Sequence, residues 1–279
     1  MPTPKTVGSL FSGIGGFDLA APSCGWVTRW YSEIDEYACR IMAKHFPEAE
    51  NLGDITKLTN PPPVDVLVGG FPCQDISVAN AKGEGINGKR SGLWAEYARI
   101  IGEVRPSWAV IENSPLLRRK GLDRVLRDLM ALGYDAEWHC VPASAAGAPH
   151  QRDRIWIAAY PSQGEGEARL APYLADALRS RLARHQLALY DEAEAGGGEA
   201  STLGPTPECC PACGGLRHPW DFEPAVGRVA HGVPSRVDRL RTLGNAVVPD
   251  IPHLIFRAIE AYESQIGIDV RPAPGSRST

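Results

Sequence analysis

A single cysteine stands in "GGFPCQDIS", residues 69–77, directly after the apolar run 64–68. A thiol at the end of a buried strand, where open α/β sheets bind their ligands, has the placement of a nucleophile. The competing reading is a small buried cysteine that fills core space. Two more segments bear on the choice. Glu112 in "IEN" follows another apolar run, and a carboxyl group beside a buried strand needs a partner or a raised pKa. "PHQRDRIWIAA" places Arg152 and Arg154 on either side of Asp153, and strand alternation predicts both arginines on one face. For each of these the plainer alternative is a salt-bridged strand end.

A second group of residues has the pattern of a ligand cradle. In "LFSGIGGFDLA" a strand ends in a glycine-rich turn that opens a helix, so backbone can approach a nucleotide-like ligand closely. Gly13 and Gly15 fit the dinucleotide fingerprint, but Asp18 stands where its third glycine belongs. That substitution disfavours a pyrophosphate site, and with it an NAD-dependent oxidoreductase, and points to a smaller nucleoside cofactor. Glu33 in "SEIDEYA" ends the next strand, where such folds hold ribose hydroxyls, and a carboxylate can accept from both of them. Asp54 in "LGDIT" ends a third strand, within reach of an adenine amino group. Far downstream, "PECCPACGGLRHPW" offers half of a zinc knuckle. Cys209, Cys210 and Cys213 with His218 or His231 could supply four ligands, but the second Cys pair of a knuckle is missing and unpaired thiols in a loop are the simpler reading.

The elements that must position these residues alternate strand and helix through residue 160. "TVGSLFS", "WVTRWYS", "VDVLVGG", "SWAVIEN", "YDAEWHCVPA" and "RIWIAAY" read as strands. "FDLAA" opens a helix that Pro22 stops early; "DEYACRIMAKHF", capped by Asp35, "LWAEYARIIGEV" and "GLDRVLRDLMALG" read as longer helices. This order predicts an α/β fold with a mostly parallel, doubly wound sheet. Residues 161–235 carry few strand signals, although "YLADALRSRLARHQLALY" has a helical pattern; they read as a smaller irregular region before a last helix at "IPHLIFRAIEAYESQI". A chain of 279 residues with 43% hydrophobic residues can bury a substantial core. No apolar run is long enough to span a bilayer, no leader is evident at "MPTPKTVGSL", and seven scattered cysteines do not form a disulfide framework, so a reducing cytoplasmic setting is expected. The net charge of −4 and the isoelectric point near 6.0 exclude a generally basic nucleic-acid coat. Local cations remain, in the loop at Lys82, Lys89 and Arg90 and in the cluster Arg228, Arg236, Arg239 and Arg241.

Taken in order, "FSGIGG", "EID", "GDI", "GGFPCQ", "SGLW", "IEN", "QRDRIWIAA" and "LGNAVVP" resemble the motif series of the DNA cytosine-5 methyltransferases, in the form seen in phage or prophage members. Ser114 departs from the family, which usually has valine after the Glu-Asn pair. The resemblance implies a Rossmann-like methyltransferase sheet built from residues 1–160 and 236–270, a target-recognition region over 161–235 and a flexible tail over 271–279. It implies S-adenosylmethionine as cofactor, double-stranded DNA as substrate, a monomer in the cytoplasm of a bacterial or phage-infected cell, and the option of a cognate restriction endonuclease. Cys73 then matches the nucleophile, Glu112 the acid at cytosine N3 and Arg154 the arginine at cytosine O2, with Asn113 and Arg152 as supports of the pocket. Phe11, Gly13, Gly15, Glu33, Asp54, Ile55, Leu93 and Asn245 match the cofactor positions. Gln74, Ser77, Lys82, Lys89, Arg90, Arg236 and Arg239 are assigned to DNA. An RNA cytosine-5 methyltransferase on the same scaffold would use the same catalytic residues.

Overall fold

The computed structural model describes residues 3–72, 92–148, 150–162, 170–180 and 236–266. Cys73 and the rest of 73–91, the cysteine cluster with His218, Arg228 and the tail lie outside the described residues. Seven strands form one sheet: β1 (Thr6–Leu10), β2 (Val27–Ser32), β3 (Glu50–Asn51), β4 (Val66–Gly70), β5 (Trp108–Asn113), β6 (Tyr134–Val141) and β7 (Arg154–Pro161). Their order across the sheet is β3-β2-β1-β4-β5-β7-β6. The first five run parallel, and β7 alone is antiparallel, inserted between β5 and β6. This is the mostly parallel, Rossmann-like α/β sheet that the strand and helix pattern predicts.

Alternation along the strands builds two cores. Leu67, Ala109, Ile111, Ile155 and Ile157 point to one face, under α3 (Leu93–Val104) and α5 (Leu122–Ala131). Val66, Val68, Val110, Trp156 and Ala158 point to the other, under α1 (Gly16–Ala20) and α8 (Asp250–Ile266). Helix α5 shows why it folds there: Leu122, Val125 and Leu129 recur at helical spacing and are the residues it buries. Helix α1 is short because the chain tightens at Pro22 into a single turn of 3-10 helix, Ala21–Cys24. Helix α2 (Glu36–His45) starts where Asp35 accepts hydrogen bonds from the Tyr37 and Ala38 N–H groups.

Chain order reverses at β1, which has β2 on one side and β4 on the other. A crevice opens there at the carboxyl ends of the strands, the place where doubly wound sheets bind ligands. Helix α7 (Arg236–Asn245) and the turn after it close one side of this crevice. The helix at 171–180, α6, departs from the expected irregular region. Leu170 and Leu174 are 2% and 4% exposed in the core under α8, and Glu137 of β6 accepts from the Leu170 and Ala171 N–H groups at the helix start. The packing of the sheet therefore extends past the expected boundary at residue 160.

Candidate active site

A cavity of about 710 Å³ fills the crevice. One end is lined by the β1–α1 turn, the end of β2 and the loop after β3. Glu33 organises this end. Its Oε2 accepts from the Gly13 N–H at 2.7 Å, and its Oε1 accepts from the Ile34 and Asp35 N–H groups, each at 2.8 Å. A carboxylate has about four acceptor directions, so about one remains for a ligand. Glu33 therefore has room for one strong hydroxyl contact rather than the expected two. Asp54 Oδ1 accepts from both the backbone and the hydroxyl of Thr56, and these bonds hold its carboxyl below the ordinary range. Its Oδ2 has only a long contact to Lys57, 3.9 Å away. Phe11, Ile34, Ile55 and Leu93 supply apolar walls.

The residues expected at this end fall into place with one exception. Phe11, Gly13, Glu33, Asp54, Ile55, Leu93 and Asn245 all line the cavity. Gly15 does not. It sits at the start of α1 with φ of 84°, and a Cβ there would lie 2.8 Å from both the Met42 sulfur and the Phe46 ring. Its role is the close approach of α1 to α2. The missing third glycine also gains a physical account. Asp18 is fully buried and accepts from the hydroxyls of Ser9 on β1 and Thr28 on β2, so it staples the first helix to two strands. Burial raises its carboxyl to about 6 against these two hydrogen bonds.

At the other end of the cavity, parallel pairing sets Gly70 of β4 directly beside Glu112 of β5. Glu112 is 13% exposed, and Arg154 Nε lies 2.8 Å from its Oε1. Burial lifts the Glu112 carboxyl to about 7, with Arg154 and then Arg152 pulling against the shift. The site thus holds a carboxyl group that takes up and releases a proton near neutral pH, the property of a general acid. Asn113, 2% exposed, donates from Nδ2 to the Phe71 carbonyl at 3.1 Å and accepts at Oδ1 from the Ser114 N–H. It pins the stretch Phe71-Pro72, which lines the cavity and leads in the chain directly to Cys73.

Arg152 is not positioned by strand alternation, although its charge still acts on Glu112. Arg152 lies before β7 with φ of 38°, a left-handed turn that breaks strand alternation. Its guanidinium donates to the Gly244 and Ala246 carbonyls at 2.8 and 2.6 Å, which fastens the turn after α7. Arg241, of the basic cluster, has an acidic partner. It lines the cavity and pairs with Asp35 at 2.5 Å, and more loosely with Asp238. Of Arg236 and Arg239 the structure gives the helical backbone.

Sequence reasoning missed Ile34, Phe71, Arg241 and Thr242 as cavity residues. Ile34 lies inside the "EID" motif, and the last two immediately precede "LGNAVVP", so proximity to motifs was the available signal. It also missed Gly70, where a Cβ would lie 2.5 Å from Glu112 Oε2. The second glycine of the pair read as a strand end is what clears space for the acid, while the first lets β4 lie close to the Leu10 backbone. Among the described residues no cluster of His, Cys, Asp or Glu could hold a metal ion, and no helix is long and apolar enough to cross a membrane.

A Bacillus subtilis type II methyltransferase, M2.BsuMI, is 37% identical over 159 residues, covering 54% of this chain and 41% of that protein. Type II methyltransferase M.CviJI of Paramecium bursaria Chlorella virus IL3A is 33% identical over 162 residues, covering 57% of this chain and 44% of that one. A solved structure of a candidate DNA modification methyltransferase encoded within an E. coli prophage aligns at a TM-score of 0.48 and 27% identity, over 56% of this chain and 47% of that one. The chain spans well under two thirds of the length of the curated relatives it matches. Residues 5–181, more than half of the chain, match the family model for C-5 cytosine-specific DNA methylase, and the chain belongs to that family.

Proposed function

We propose that this chain transfers a methyl group from S-adenosylmethionine to C5 of a cytosine extruded from duplex DNA. The observation that carries the reading is the half-buried Glu112–Arg154 pair, in one cavity with the Glu33 and Asp54 cradle and beside Gly70, which lies three residues before Cys73 in the chain. The donor set fits the cofactor. Three carboxylates, Glu33, Asp35 and Asp54, line its end of the cavity. Asp35 is paired with Arg241, while Glu33 and Asp54 keep acceptor positions that suit hydroxyl and amino donors. When bound, the cofactor supplies the methyl group as an electrophile.

The protein groups then divide the work. Cys73 adds its sulfur to cytosine C6, forming a C–S bond. Glu112, protonated in a substantial fraction of molecules near pH 7, holds a proton toward ring N3 and takes up the charge that addition pushes there. Arg154 is ordered by Glu112 and faces the same cavity, where it serves cytosine O2. After methylation a base removes the C5 proton, the C–S bond breaks, and Cys73 is restored. Such a site cannot reach a base within a helix, so the base must flip out. Residues 161–235 carry target recognition, the chain acts as a monomer, and a restriction endonuclease is its natural counterpart.

The test is incubation of the protein and isotopically labelled S-adenosylmethionine with duplex DNA and, separately, with RNA. Digestion and mass spectrometry should find label as 5-methylcytosine in DNA. Label on N4 of cytosine, on adenine, or only in RNA refutes the proposal. Bisulfite sequencing of DNA from cells expressing the chain then reads the target sequence.

A further inference from the structure

We propose that the basic turn Arg118-Arg119-Lys120 is a docking site for the phosphate backbone of duplex DNA, beside the acid that must face the flipped base. The inference rests on the methyltransferase reading of this edge of the sheet. The three residues belong to α4 (Leu117–Lys120), which begins four residues after Asn113. Leu117 is fully buried in the core and fixes the turn, leaving Arg118 and Arg119 exposed and Lys120 half-buried. None of the three cations has an ion pair or side-chain hydrogen bond among the described residues. Their neighbours on α5 differ: Arg127 is committed to Asp123 at 2.7 Å, and Arg124 lies 3.6 Å from Asp128.

The topology puts this turn at the right place. Strand β5 ends in the cavity lining at Glu112 and Asn113, and β7 begins in it at Arg154, with Val141 of β6 paired to Arg154 and Glu112 paired to Trp156. The Leu117 N–H at the start of the turn donates to the Ser114 carbonyl at 3.0 Å, and Ser114 lines the cavity, so the turn that carries the three cations begins at the edge of the site. Asp153, beside Arg154 in the chain, is an opposing acid here. Counting Arg118, Arg119, Lys120 and Asp153 gives 3 − 1 = +2 on a chain whose net charge is −4. Arg241, in the cluster that the sequence offered for DNA, is instead turned to the cofactor end and paired with Asp35. A base extruded toward Glu112 brings its flanking phosphates to the rim of the cavity. Guanidinium groups there can grip them by paired hydrogen bonds.

The experiment is fluorescence anisotropy of a labelled duplex of arbitrary sequence between about 50 and 200 mM salt. Each lost phosphate contact flattens the slope of log affinity against log salt by about 0.9. Arg118→Ala/Arg119→Ala/Lys120→Ala should therefore flatten it by about 1.8 to 2.7 units, changing the ratio of affinities across that salt range by about 12- to 40-fold. Melting temperature and S-adenosylmethionine affinity should stay at wild-type values. Arg118→Lys/Arg119→Lys should keep the wild-type slope, because charge is what the contact uses. A triple-alanine slope equal to wild type, a lysine variant as weak as alanine, or a wild type with no salt-dependent DNA affinity overturns the docking site. A wild type that binds DNA with the expected slope but adds no methyl group refutes the methyltransferase reading alone.

Discussion

Replacing Gly70 by alanine tests the geometry of the acid without touching the acid. The new Cβ would stand 2.5 Å from Glu112 Oε2, against 3.4–4 Å for ordinary contact. The carboxylate must therefore retreat by about 0.9 Å, the difference between 2.5 and 3.4 Å. Its 2.8 Å contact with Arg154 Nε cannot survive that shift unchanged. A misplacement of about 1 Å at a reacting group costs about 10²-fold in rate. The backbone at Gly70 is outside the left-handed region, so alanine meets no conformational barrier. Overpacking costs about 1–3 kcal/mol, offset by about 0.4–1 kcal/mol from the stiffer unfolded chain. That predicts a fall in melting temperature of roughly 2–8 °C. The assay is steady-state methyl transfer to duplex DNA, with calorimetry showing cofactor affinity close to wild type. A rate within about tenfold of wild type refutes the reasoning, since a positioned acid contributes about 10²–10⁴-fold.

Cys73→Ser should abolish methyl transfer while cofactor binding persists, because a hydroxyl is far less acidic than a thiol of pKa about 8.5; a 5-fluorocytosine duplex should trap wild type covalently and leave the variant free, and turnover by the serine variant removes Cys73 from the mechanism. Asp18, raised from 3.8 to about 6, holds more protons folded than unfolded between those values. Stability should therefore fall as pH rises from about 4 to 6, on the order of 3 kcal/mol in all, and Asp18→Asn should remove that part of the slope in urea melts at pH 4.5 and 6.5; equal slopes in the two proteins count against the assignment. Arg241→Ala breaks a bridge whose side chains are 53% and 33% exposed, worth about 0–1 kcal/mol, so cofactor KM should rise by up to about fivefold with kcat unchanged. A fall in kcat without a change in KM places Arg241 elsewhere.

Much of the architecture is short-range and was therefore readable along the chain. Asp35 is followed by a helical pattern and caps α2 two and three residues on. Pro22 stops α1 where its ring requires it. The apolar runs before Gly69 and Glu112 became β4 and β5, and the prediction that Glu112 needs either a partner or a raised pKa came out as both. The placement of Arg152 failed because alternation holds only inside a strand, and β7 starts at Arg154. Residues 171–180 read as helix but not as core, since burial depends on what they meet, and they meet α8.

The sequence by itself determined the residue types the chemistry needs, the strand and helix order that brings them to one edge, and the absence of a pyrophosphate fingerprint at Asp18. Those are properties of local propensity, periodicity and functional-group chemistry. Only the tertiary structure decided that Gly70 exists to admit the Glu112 carboxylate, that Gly15 packs α1 on α2 instead of lining the cavity, and that Arg241 reaches back 206 residues to Asp35. It also decided that, among the described residues, Arg118 and Arg119 have no ion pair while Arg241 has one. The reason is physical: a charge or a missing methyl group acquires its meaning from the atom across from it, and strand order and helix packing choose that atom.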